Sequence, residues 1–183
     1  TQKVGLAMGD GEIIIASRLL SQDLGNDRFS WNGKIIGSGT GYLSFARIGE
    51  RIRGTVALAG KSGLVFRGSA KGLDFKVAEK HLGCGGCRFE KGLPPDPRRD
   101  AEPAMSWRNG DGNLIDLLIV YPAAVRSEAG STSDVEAAIA SAVADSNLCY
   151  RNSLVPMQLR VVHMEEVSYT PTGTLNVDLD RLS

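Results

Sequence analysis

Long apolar runs are missing from this chain. The two longest, Glu12 to Ala16 and Leu117 to Tyr121, fall far short of the ~20 residues that cross a bilayer as a helix, so no membrane anchor is expected. An excess of charge is missing too: 21 basic residues meet 21 acidic ones, and no global field would draw the protein onto nucleic acid or an anionic membrane. Cysteines number three, Cys84, Cys87 and Cys149, and an odd count leaves at least one thiol unpaired within the chain. Histidines number two, His81 and His163, far apart in sequence and neither followed by a second histidine at helical spacing.

What is present divides the chain. With 183 residues, 42% of them hydrophobic, it can hold one ordinary domain or two small ones around a packed core. The first third reads as β-rich. Short alternating runs at Glu12 to Ala16, Phe29 to Ile36, Tyr42 to Ile48, Arg51 to Leu58, Leu64 to Arg67 and Leu73 to Ala78 are separated by glycine turns. That spacing predicts an antiparallel meander or a small sandwich. Gly9-Asp-Gly11 and Gly37 to Gly41 are glycine-rich, but no phosphate-loop Lys-Ser or Lys-Thr follows them, so they read as turns.

Periodicity then vanishes. Leu93-Pro-Pro-Asp-Pro-Arg-Arg-Asp100 places three prolines within four positions, which excludes helix and central strand. The reading is a β-rich unit over residues 1–97, a linker over 98–113 and a second unit over 114–183. Arg98-Arg99 is either a processing site for a dibasic protease or an ordinary solvated charge pair.

The second unit opens with Leu114 to Tyr121, nearly all apolar, the pattern of a strand buried on both faces, ended by Pro122. Ser133-Asp-Val-Glu136 matches a capping box and starts a helix whose Val135, Ile139, Ala142, Val143, Ser146 and Tyr150 form one face to press onto the sheet. Asn152, Ser153 and Pro156 end it, and Met157 to Val162 forms a second strand. The fold class is therefore α+β: a β-rich amino-terminal unit followed by strand, helix, strand.

One cluster has metal-ligand character: His81-Leu-Gly-Cys84-Gly-Gly-Cys87. Zinc ligation by Cys84, Cys87 and His81, a Cys84 to Cys87 disulfide, and two unbridged thiols are the open readings. His163 reads as a structural or partly exposed strand residue, Cys149 as a buried thiol, and Asp116 as solvent-facing or capping. Glu165, Glu166, Asp178 and Asp180 lack the spacing of a calcium loop and read as solvated charges.

Ile115-Asp-Leu-Leu-Ile-Val-Tyr121, the helix with Ala144-Asp-Ser-Asn-Leu-Cys-Tyr-Arg-Asn-Ser153, Gln158-Leu-Arg-Val-Val-His163 through Tyr169, and Asp178-Leu-Asp-Arg-Leu182 together resemble reprolysin-like zinc metallopeptidases of the metzincin clan. The likeness is nearest to bacterial members of the peptidyl-Asp metalloendopeptidase type and spans residues 114–183; the β-rich front resembles the pro-region of such precursors. The family's H-E-x-x-H-x-x-G-x-x-H motif occurs nowhere here, so no catalytic residue is carried over and the chain alone is expected to be inactive.

The resemblance implies a secreted or periplasmic precursor whose signal peptide has been removed. It implies zinc in the full-length enzyme, protein or peptide substrates, and a pro-region that aids folding and latency by contacting its own peptidase domain. Cys84 or Cys87 would cap the zinc in that scheme, although the surrounding residues do not match the family's cysteine-switch motif. The rival expectation is a non-catalytic secreted binding or inhibitory protein on a peptidase-derived scaffold.

Overall fold

A computed structural model describes residues 2–8, 11–37, 40–69, 71–77 and 113–181. Strands β1 (Lys3–Ala7), β2 (Ile13–Gly25), β3 (Arg28–Ile36), β4 (Gly41–Ile48), β5 (Arg51–Leu58), β6 (Leu64–Ser69) and β7 (Gly72–Val77) pair in chain order, each antiparallel to the next. The expected meander is therefore a single sheet, with β1 as a strand that the alternation did not disclose. Tight hairpins set the register. Between β2 and β3, Asn26 and Asp27 take φ of 51° and 59°, the paired positive values of a turn whose twist matches the flanking strands.

Period-two alternation gives this sheet two unlike faces. Trp31, Ile35, Leu43, Val56 and Phe66 point to one side and join Leu6, Ile14 and Ala16 in a single buried cluster. Val4 of β1 and Leu73 and Phe75 of β7 pack against the same cluster, so the sheet curls around its apolar face. Two glycines admit the bulk there. A Cβ on Gly33 would run into the Trp31 ring and the Ser17 carbonyl, and one on Gly54 into Phe66 and the Ser44 carbonyl. The opposite face of β3, β4 and β5 carries Ser30, Asn32, Ser44, Ala46 and Thr55, which are small or polar.

The second unit is β8 (Leu114–Pro122), α1 (Ala123–Ala129), α2 (Thr132–Asn152), β9 (Gln158–Val167) and the short α3 (Leu175–Asp180). β8 and β9 are parallel, and α1 and α2 form the crossover between them. Strand, helix, strand is thus observed, with α1 added. Gly130, at φ 105°, ends α1 and leaves Ser131 extended. Ser131 is therefore the cap of α2, accepting from the Asp134 amide at 3.1 Å, and not Ser133 as its spacing to Glu136 suggested.

Two further expectations are corrected. β8 is not buried on both faces: Leu118 is 67% exposed, and Ile115, Val120 and, on β9, Val162 are exposed as well. Among the described residues this sheet has two strands, so only the side turned to the helix is covered. The buried residues of α2 are not one apolar stripe either. Val135, Ala137, Ala140, Ser141, Val143, Ala144, Asn147 and Leu148 are buried, because the helix lies against two sheets at once. The proposed linker 98–113 falls, but for Asn113, outside the described residues.

Candidate functional site: the seam between sheet and helix

Small side chains let α2 approach the polar face of the meander. Ala137 and Ala140 of the helix form a buried cluster with Ala46 and Ile48 of β4, edged by Leu24 of β2. Alanine offers little area, so dispersion and transfer terms here are modest beside those of a Leu or Phe interface. Directional contacts carry the rest.

Asn32 Nδ2 donates to Ser44 Oγ at 2.8 Å and to the Ala144 carbonyl at 3.2 Å, tying β3 and β4 to the helix backbone. Thr55 Oγ1 donates to both Asp145 carboxylate oxygens, at 3.1 and 3.4 Å. Arg28 faces Glu136 and Arg51 faces Asp134, each at 3.6 Å, near the start of the helix. Near its end, Arg151 donates to the Leu19 carbonyl at 3.2 Å. Each neutral bond contributes about 0.5–1.5 kcal/mol net, and each solvent-accessible ion pair less than about 1 kcal/mol.

Burial pushes the Asp145 carboxyl above its ordinary value of 3.8, opposed by the Ser44 and Thr55 hydroxyls. The cost of taking that carboxylate out of water outweighs what the neighbouring hydroxyls return to its charge. On the other flank of α2, Asn147 exchanges two bonds with the Leu159 backbone, at 2.9 and 2.7 Å, and so behaves as an extra pairing partner for β9. Asn32 and Asn147 thus hold the same helix to two different sheets.

His81, Cys84 and Cys87, with Arg98 and Arg99, lie outside the described residues. His163 is an exposed strand residue with Glu165 at 3.2 Å. Asp116 is exposed and takes a two-pronged bond from Arg160 at 2.7 and 2.8 Å, which lowers its carboxyl below the usual range. Cys149 is half-buried on α2.

Two acidic residues are more engaged than solvated charges would be. Glu166 is paired with Arg126, and Asp178 accepts from Tyr169 Oη, the Thr172 amide and Thr172 Oγ1, a cluster that pins the chain ahead of α3. Among the described residues no three His, Cys, Asp or Glu side chains are grouped as metal ligands, and no helix is long and apolar enough to cross a membrane. Asn32, Ser44, Thr55, Asp145 and Asn147 escaped the sequence reading. Their only signal was polarity at strand and helix positions that later prove buried or partly buried. No family model, no curated protein and no solved structure matches this chain.

Proposed function

We propose that this chain is the amino-terminal portion of a secreted zinc metalloendopeptidase precursor of the metzincin type. In this reading the meander is the pro-region, and β8 to α3 open the peptidase domain. The observation that carries it is the seam: a sheet with its own core lays a polar, small-residue face on the crossover helix of a parallel strand pair. Interfaces of that composition suit units that dock and separate, whereas permanent interfaces resemble a hydrophobic core cut in half. A pro-region has that task, to hold a folding partner and later leave it. The exposed apolar side of β8 and β9 is suited to burial against further elements of a peptidase domain.

The described residues offer zinc no ligand set: their one histidine, His163, is exposed with Glu165 at 3.2 Å, and no three His, Cys, Asp or Glu side chains among them are grouped. Zinc would belong to the parent enzyme, where it would supply the Lewis acid for peptide hydrolysis. What this chain's own residues do in that scheme is position: Asn32, Thr55 and the two arginines hold α2, and α2 holds β9 through Asn147.

The test is the product of the parent reading frame, assayed for zinc and peptide cleavage before and after removal of the meander. Zinc-dependent cleavage that rises on removal is the expected result. A parent without H-E-x-x-H, or robust cleavage by the 183-residue chain itself, would overturn the reading. An inactive parent that binds another protein through the same surface would point to the non-catalytic alternative.

A further inference from the structure

We propose that the outer face of β5, β6 and β7, beside α2, is a docking strip for an acidic, extended segment of another protein, held by Arg53, Arg67 and Lys76. This goes beyond the peptidase reading and stands on strand register and charge alone.

Strand pairing aligns the cations. Arg53 of β5 lies directly opposite Arg67 of β6, and Lys76 of β7 is paired with Val65, which makes it a diagonal neighbour of Arg67. Like charges directly opposite each other on two strands destabilise a sheet. Nothing on the sheet relieves this pair: Asp74 stands opposite Arg67 on β7, yet among the described residues neither it nor any of the three cations forms an ion pair. Arg67, Asp74 and Lys76 are exposed, and Arg53 is half-buried.

The rest of the same face shows what its cations take. Arg28 and Arg51 point to this side as well, and each meets a carboxylate of α2, Glu136 and Asp134. With Asp145 bound to Thr55, all three carboxylates of the helix are engaged. Arg53, Arg67 and Lys76 continue the pattern away from the helix and call for carboxylates from elsewhere. Spacing favours an extended donor of them. Side chains directly opposite across two strands stand about 5 Å apart and diagonal ones about 7–8 Å, while alternate residues of an extended chain recur every ~6.7 Å. A segment with acidic residues at every second position therefore sets a carboxylate on each cation, and the planar fork of an arginine donates two bonds to one.

The experiment titrates the amide spectrum of the full chain with a short peptide alternating Glu and Thr, and with its Gln counterpart, at about 0.05 and about 0.3 M salt. The Glu peptide should shift amides around Arg53, Arg67 and Lys76 and bind more weakly at the higher salt; the Gln peptide should not bind. Arg53→Gln with Arg67→Gln should weaken binding about tenfold. Arg18→Gln with Lys61→Gln, which removes the same charge from exposed positions elsewhere, should leave it unchanged. Without peptide, Arg67→Gln should raise the thermal midpoint, because the cross-strand repulsion is gone. No binding, shifts spread over other basic positions, equal loss in both double variants, or a lowered midpoint in Arg67→Gln overturns the proposal. Tighter binding of a single-stranded oligonucleotide at the same amides overturns it too, and makes the strip a nucleic-acid site.

Discussion

The two sheets of this molecule solve the same problem unequally. The meander wraps its apolar face around Trp31, Leu43, Val56 and Phe66, and its other face is polar enough to meet water or a helix. The β8–β9 sheet covers one side with its crossover helix and leaves Leu118 67% exposed on the other, while Val162, at the register shift between the strands, is 52% exposed. Each sheet also treats α2 differently: one receives it through hydroxyls and alanines, the other through Asn147 and the buried strand residue Tyr121. Stability is therefore concentrated in the meander, and the second unit borrows from it through a seam of modest strength.

The comparison breaks most readily at its strong end. Phe66→Ala empties a fully buried site and should cost about 3–5 kcal/mol, measured as a shift in the chemical-denaturation midpoint that affects both units. Ala140→Leu acts on the weak end: the added bulk has no room against Ala46 and Ile48, and should cost about 1–3 kcal/mol of docking. Its signature is faster amide exchange in α2, β8 and β9 with β3 to β5 still protected. Ser131→Ala removes the cap of α2 and should lower stability by about 1 kcal/mol, read from the thermal midpoint. Leu118→Lys, at an exposed apolar position, should change the stability of this chain by less than about 0.5 kcal/mol. The same substitution in a longer parent that covers that face should be far more costly, which sharpens the contrast between the two sheets.

Strand alternation made most of the meander legible, because each strand from β3 to β7 buries one face in a core that curls on itself. β1 was not, since Lys3 to Ala7 is glycine-interrupted and only Leu6 among its residues is fully buried. α1 was missed because seven residues with no buried side chain leave no periodic trace. The seam was hidden for a physical reason. Ser30, Asn32 and Ser44 read as a solvent face by polarity, and Ala137, Ala140 and Ala144 are too small to weigh in an apolar pattern dominated by Val135, Ile139 and Val143. Burial of a polar face against an alanine face is a property of the pair, and no single segment carries it. Trp31 illustrates the same limit: alternation over Phe29 to Ile36 marks it only as one apolar position, and nothing there discloses that its indole N–H is buried with no hydrogen-bond partner among the described residues.

The most direct test of separable docking is residue-resolved amide exchange of the full chain in rising denaturant. If the seam is the weak link, amides of α2, β8 and β9 open together at a lower denaturant concentration than those of β3, β4 and β5. A single opening step shared by all of them at one concentration would contradict it.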